Sequence, residues 1–195
     1  MTARWVVDEV QPHRDLNITW QPISLLFKNQ PTEDSPFFAP VTFTHSLQRV
    51  MESVRAAEGN DAVKDLYWQY GAVLHHDRSN GDVDMDQIIE AGVTPFLEAA
   101  GLDVAHAAAF DDESYDAEIR TRMDAGLALV GQDVGTPIIA FDSPAGRKGI
   151  FGPVMSKMPT DSPAFWDAMV TMATMDGFWE LKRTRTEDPH FPERP

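Results

Sequence analysis

The stretch Val134-Gly135-Thr136-Pro137-Ile138-Ile139-Ala140-Phe141 constrains the fold most. It is a Gly-Thr-Pro corner that opens directly into an apolar run. Proline has a fixed φ and no N–H, so it is excluded from a central ladder but tolerated at the first residue of a strand, where Pro137 stands. Two readings follow. In one, Pro137 is a trans proline in a loop-to-strand turn. That is the default for an isolated Gly-Thr-Pro, because only roughly 5–6% of X–Pro bonds in folded proteins are cis. In the other, the Thr136–Pro137 bond is cis and the backbone groups of Thr136 face outward. They then form an edge able to pair with an extended peptide or a bound thiol compound.

Composition narrows the function classes. A chain of 195 residues suffices for one domain or for a domain carrying an insertion. The net charge of −15 argues against nucleic acid or an anionic membrane as partner, since no basic field draws phosphates in. No apolar run is long enough to span a bilayer, and no signal segment opens the chain, so a cytoplasmic location is expected. The sequence contains no cysteine. Disulfides, thiolate metal sites and cysteine nucleophiles within these residues are excluded by that fact alone.

In chain order, Met1 to Gln11 has helical spacing at Trp5, Val6, Val7 and Val10, with Thr2 as a possible cap. Leu16 to Pro22 alternates apolar and polar and predicts a strand. Ile23 to Pro40 has loop composition. A helical block then runs to about Val130. Asp61, Asp84, Asp103 and Ser114 stand as caps, and one helix is expected to continue from Met85 past Pro95. Ile138 to Asp142 and Lys148 to Phe151 predict a hairpin around Ser143-Pro144-Ala145-Gly146. Ser162-Pro163 predicts the start of a last helix, and the tail from Thr184 predicts extended chain. With one strand placed in front, this order becomes a thioredoxin-like sheet carrying a helical insertion.

Longer motifs bear on the same point. Val130 to Pro137 resembles the cis-proline loop of the DsbA-like thioredoxin superfamily. The blocks Phe151-Gly152-Pro153-Val154-Met155-Ser156-Lys157-Met158-Pro159 and Phe178-Trp179-Glu180-Leu181-Lys182-Arg183-Thr184-Arg185-Thr186 resemble signatures of its mycothiol-dependent nitroreductase branch. Thr2-Ala3-Arg4-Trp5-Val6 resembles the helix that follows the redox motif there. The match runs through nearly the whole chain in the same order. The two long blocks are specific, whereas Gly-Thr-Pro alone is weak.

The resemblance implies a cis Pro137 and an α/β, thioredoxin-like fold. It divides the chain into residues 1–39, a helical insertion at 40–132, and residues 133–195. It also implies a thiol-disulfide or nitro-compound oxidoreductase that uses a mycothiol-like thiol as co-substrate, with no bound cofactor. The family's nucleophile is a Cys-Pro-Trp-Cys-type cysteine at the first helix's N-terminus, where the helix dipole favours the thiolate. That motif belongs directly before Thr2, where this chain has Met1. The expectation is a natural product starting upstream of Met1 and supplying the first strand and the cysteine. The competing reading is genuine loss. On either, the chain as it stands has no catalytic residue for thiol exchange, and without its central strand it is expected to be poorly stable. A second function class stays open: a cysteine-free binding protein on the same scaffold, holding extended peptides or a small thiol.

The site residues expected from this resemblance are Gly135, Thr136 and Pro137 at the edge, Trp5 near the motif, and His75 overhanging it. A metal site at His75-His76-Asp77 is disfavoured, because adjacent residues do not share a helix face. Asp82, Asp84 and Asp86 lack the glycine and glutamate of a calcium loop and are assigned to capping and solvation. Trp20, Trp68, Trp166 and Trp179 are assigned to the core. Lys182-Arg183-Thr184-Arg185 is a solvated or paired run, with a thiol cofactor's carboxylate as its alternative partner. The oligomeric state is left open.

Overall fold

The computed structural model describes residues 1–144, 146–190 and 194. Ala145, in the expected hairpin turn, and residues 191–193 and 195 of the expected extended tail lie outside the described residues. The chain is mixed α/β, mostly helical, with one two-stranded antiparallel sheet. The described residues fall into two compact units. One joins Met1–Ile18 to Ala125–His190, and the other is Thr19–Asp124 with Arg194. The breaks follow residues 18 and 124, whereas the sequence pattern divides the chain after 39 and 132. Long-range hydrogen bonds account for the first difference. Gln48 Nε2 donates to the Ile23 carbonyl at 2.9 Å, and Ser24 Oγ lies 2.9 Å from His45 Nδ1, so this loop belongs with the helices it precedes.

The first unit opens on α1 (Thr2–Arg4), a π-helical turn at Trp5–Val10 and a 3-10 turn at Gln11–His13. Hydrogen bonds from i to i+5 widen the middle turn, so residues five apart face the same way. Trp5, Val6 and Val10 are accordingly buried together. Thr2 is not the cap the sequence suggests; its hydroxyl donates to the Pro153 carbonyl at 2.7 Å.

The hairpin is β1 (Ile138–Ser143) and β2 (Gly146–Phe151), in register from Ile138 opposite Phe151 to Ser143 opposite Gly146. α9 (Ser162–Thr174) starts one residue from the expected cap. Asp161 accepts from the Ala164 N–H, and Ser162 Oγ donates to the Pro159 carbonyl. A carboxylate beside a serine offers the stronger acceptor for a helix N–H. Trp5, Val6, Val10, Trp166 and Met169 form the core, with Ile139 and Phe141 packed against it. Trp5 lies 5.3 Å from Phe165 and 5.8 Å from Trp166, ring centre to ring centre.

The second unit contains α2 (Leu25–Asn29), α3 (Phe38–Glu58), α4 (Asn60–Gly71), a π-helical turn at Ala72–Asp77, α5 (Arg78–Asn80), α6 (Met85–Ala91) and α7 (Thr94–Ala100). Two 3-10 segments follow at Val104–Asp111 and Glu113–Tyr115, and then α8 (Asp116–Val130), whose residues 116–124 fall in this unit and 125–130 in the first. Helix α2 lies inside the stretch expected to be loop, capped by Ser24 on the Phe27 N–H. Asp84 is the cap expected of it and forms a reciprocal capping box with Gln87. Asp103 also caps as expected, accepting from Ala105.

Three expectations are corrected in this unit. Asp61 sits in the first turn of α4, whose cap position is Gly59. Ser114 donates its N–H to Asp112, which starts the 3-10 turn ahead of α8. The helix from Met85 stops at Gly92 and restarts at Thr94, because Pro95 supplies no N–H to continue the ladder. The core runs through Phe43, Leu47, Val50, Leu66, Tyr70 and Leu97, among others.

The predicted strand Leu16–Pro22 forms no ladder among the described residues. Its side chains alternate as a strand's would: Leu16, Ile18 and Trp20 are half-buried, and Asn17, Thr19 and Gln21 are exposed. The alternation has another cause. Leu16 and Ile18 pack in the first unit's core, whereas Trp20 packs in the second's and donates its N–H to Asn60 Oδ1 at 2.9 Å. Trp179 departs from the core assignment as well. At 89% exposed, it lies beyond α9 in chain without regular structure.

Candidate functional site

The Gly-Thr-Pro corner lies in the first unit, at the start of β1. Gly135 and Thr136 are exposed, Pro137 is half-buried, and the Thr136–Pro137 bond is cis. The Gly152 N–H donates to the Pro137 carbonyl at 2.8 Å, one step beyond the last strand pair, Ile138 with Phe151. The hairpin ladder is thereby extended to the corner. Proline's inability to donate costs nothing here, because only its carbonyl is used. Gly152 holds φ at +102°, a conformation that disfavours any side chain. The adjoining Gly152–Pro153 bond is also cis. The Pro153 carbonyl is the one that accepts from Thr2, so the loop after β2 is tied both to the corner and to the start of the first helix.

Glycine also decides how the hairpin sits on the end of α8. A Cβ at Gly149 would lie 2.8 Å from the Leu129 Cβ and 3.3 Å from Val130 Cγ1. Only a bare backbone fits at that spacing.

Of the expected site residues, Gly135, Thr136 and Pro137 are contiguous at the surface of the first unit. Trp5 is in the same unit but 0% exposed, enclosed by Phe165 and Trp166, with its Nε1 buried and without a hydrogen-bond partner. It therefore acts through packing. His75 falls in the second unit, at the surface of the π-helical turn Ala72–Asp77. Crowding around its ring disfavours the imidazolium and holds its pKa below the ordinary value. Its neighbour His76 is engaged by Asp77 at 2.9 Å and Asn80 at 3.3 Å. Among the described residues, no group of three or more His, Cys, Asp or Glu is arranged to hold a metal ion.

Two histidine constellations in the second unit have no signature in the sequence. His45 is 1% exposed, with Nδ1 2.9 Å from Ser24 Oγ and Nε2 3.0 Å from Asp116 Oδ1. Arg49 grips the same carboxylate with both of its forks, at 2.6 and 2.8 Å. Burial lowers the His45 pKa, against the pull of Asp116 and with the help of Arg49. Burial alone would raise the Asp116 pKa, but Arg49 and then His45 override it and hold the carboxyl below its usual range. With the ring neutral, Nε2–H donates to Asp116, Nδ1 accepts from Ser24, and Ser24 Oγ accepts from Phe27. Every polar atom of the ring and hydroxyl is used structurally. The second constellation, around His106, is treated below. The partners in both lie 48 to 71 residues from the histidine on at least one side, so no local spacing announces them.

No helix among the described residues is long and apolar enough to cross a membrane. A comparison with protein families matches residues 1–183 to the Rv2466c-like family, described as mycothiol-dependent nitroreductase Rv2466c.

Proposed function

Because the chain belongs to the Rv2466c-like family of mycothiol-dependent nitroreductases, we propose that it is a DsbA-type, thioredoxin-like scaffold that presents a mycothiol-like thiol to its oxidised partner. The observation that carries this reading is the match over residues 1–183, within which Gly135 and Thr136 stand exposed beside Pro137. In this proposal residues 1–39 and 133–195 are the thioredoxin-like part, and 40–132 are the helical insertion. The outward backbone of Thr136 holds the thiol compound as an added strand would be held. Trp5 backs the site from the core, and His75 stands on the insertion. The protein works in the cytoplasm without a bound cofactor.

Thiol-driven reduction of a nitro group to nitroso balances as two thiols oxidised to one disulfide, with one nitro oxygen leaving as water. Thiol exchange needs a thiolate. The 195 residues contain none, and the mycothiol-like co-substrate supplies a thiol. That same absence favours a second reading, a binding protein that holds a small thiol or an extended peptide without turnover.

Titration of isotope-labelled protein with mycothiol, followed by amide shifts, tests the site. Shifts centred on Gly135 to Ile138 and Phe151 to Gly152 are expected. Thr136→Pro, which deletes one backbone donor, should weaken binding at least about tenfold, the equivalent of one hydrogen bond. No response at these amides under millimolar mycothiol would defeat the first reading and the thiol-binding form of the second. Binding without mycothiol-dependent consumption of a nitroaromatic would select the second.

A further inference from the structure

The second constellation is built on α3. Ser53 Oγ lies 2.8 Å from His106 Nδ1, and His106 Nε2 lies 3.0 Å from Glu58 Oε1. Ser53 and Glu58 stand on the last turns of α3, and His106 on the 3-10 segment Val104–Asp111. That segment is fixed at its start by Asp103, which accepts from Ala105 and His106, and later by Ala109, buried in the core with Val50 and Val54. The imidazole is therefore held from both sides.

Hydroxyl, imidazole and carboxylate in hydrogen-bonded series are the parts of an activated nucleophile. An ionised carboxylate can only accept, so Glu58 takes the Nε2–H of a neutral ring, and Nδ1 is left to accept from Ser53. We propose that Ser53 is a nucleophile toward activated carboxylic esters, with His106 as its general base and Glu58 as the group that orients the ring.

The other constellation of the same protein supplies the contrast. Ser24, His45 and Asp116 have the same connectivity, but Ser24 is fully buried, its oxygen caps α2, and Asp116 is taken up by Arg49. No substrate reaches that hydroxyl. Ser53 is half-buried, the Glu58 side chain is 39% exposed and the His106 side chain 13%. This triad opens to solvent on its carboxylate side.

In the step proposed, the Ser53 Oγ–carbonyl carbon bond forms and the bond to the leaving alkoxide or phenoxide breaks. The Ser53 proton passes to His106 Nδ1 and then to the leaving oxygen. Water repeats the sequence to release the acid. No redox partner is needed.

The test is reaction of the full chain with 4-nitrophenyl acetate and with a fluorophosphonate probe, the adduct being located by peptide mass spectrometry. Modification at Ser53 is expected. Its rate should fall about 100-fold or more in His106→Ala, the scale of general-base assistance. A smaller loss is expected in Glu58→Gln and none in Ser24→Ala. Any pH dependence of the wild-type rate should disappear in His106→Ala, a loss that a purely structural tie between α3 and the 3-10 segment would not produce. Circular dichroism checks that each variant is folded. A folded wild type that shows no adduct at Ser53, or one that forms equally fast in folded His106→Ala, would overturn the proposal.

Discussion

The backbone N–H of Gly152 donates to the carbonyl of Pro137 at 2.8 Å, joining the loop that ends β2 to the corner that begins β1. The bond depends on Gly152 at φ +102°, where an added Cβ would also meet the Val154 nitrogen at 3.3 Å. Gly152→Ala should therefore destabilise the protein by about 1–2 kcal/mol, the penalty for a side chain at positive φ. Thermal denaturation should show this as a fall of roughly 2–6 °C for a chain of this size. On the function proposed above, mycothiol affinity should fall with it.

Gly149 and Leu129 give a packing prediction that needs no functional premise. Gly149→Ala places a methyl 2.8 Å from the Leu129 Cβ, a separation at which one of the two must shift. Overpacking of this kind costs roughly 1–3 kcal/mol. Leu129→Ala alone should also destabilise, but the double variant should be less destabilised than the sum of the two. Strict additivity in denaturant titrations would show that the two residues do not share this contact.

Asp116 is the carboxylate on which His45 and Arg49 converge. Removing it leaves a partly buried guanidinium unpaired and an imidazole N–H without its acceptor. Asp116→Ala should cost about 3 kcal/mol or more, the usual penalty for breaking such a pair from one side. The damage should be local as well as global: amide exchange in residues 24–30, which Ser24 and His45 tie to α3, should quicken first.

The same network sets a pH dependence. Burial holds the His45 pKa below its ordinary value, so between the two values the unfolded chain binds a proton that the folded chain refuses. Stability therefore falls as pH drops below about 6.5 and levels off below the folded pKa. Asp116 is shifted down too, so its contribution is present above the ordinary carboxylate range and is lost at still lower pH. Denaturant titrations from pH 8 to 5 should show the upper slope in the wild type and a shallower one in His45→Asn. Equal slopes would assign the effect to other groups.

Local signals were legible and distant ones were not. The hairpin is visible in the two short runs Ile138 to Asp142 and Lys148 to Phe151 on either side of the turn residues Ser143-Pro144-Ala145-Gly146, and the start of α6 is visible in Asp84 as a cap. These arise from groups a few residues apart, whose energies are set before the chain collapses. Where two capping side chains compete within three residues, as at Asp112 with Ser114 or Asp161 with Ser162, the helix start shifts and spacing alone does not choose. Leu16 to Trp20 kept the alternation of a strand without a ladder, because its half-buried side chains are divided between two cores.

The candidate edge at Gly135, Thr136 and Pro137 could be named from the sequence, since contiguous residues and a proline's missing N–H suffice to mark it. The absence of a thiolate within the chain was likewise decided by composition. Trp5 and Trp179 show what composition does not decide. Both are tryptophans in apolar surroundings, yet one is fully enclosed and the other almost bare, because only the packing of α9 and the sheet determines which ring finds neighbours. The two hydroxyl–imidazole–carboxylate sets were decided by tertiary structure alone. Hydrogen-bonded partners within them lie up to 71 residues apart, and whether a hydroxyl becomes a buried cap like Ser24 or stays half-buried like Ser53 depends on the packing around it.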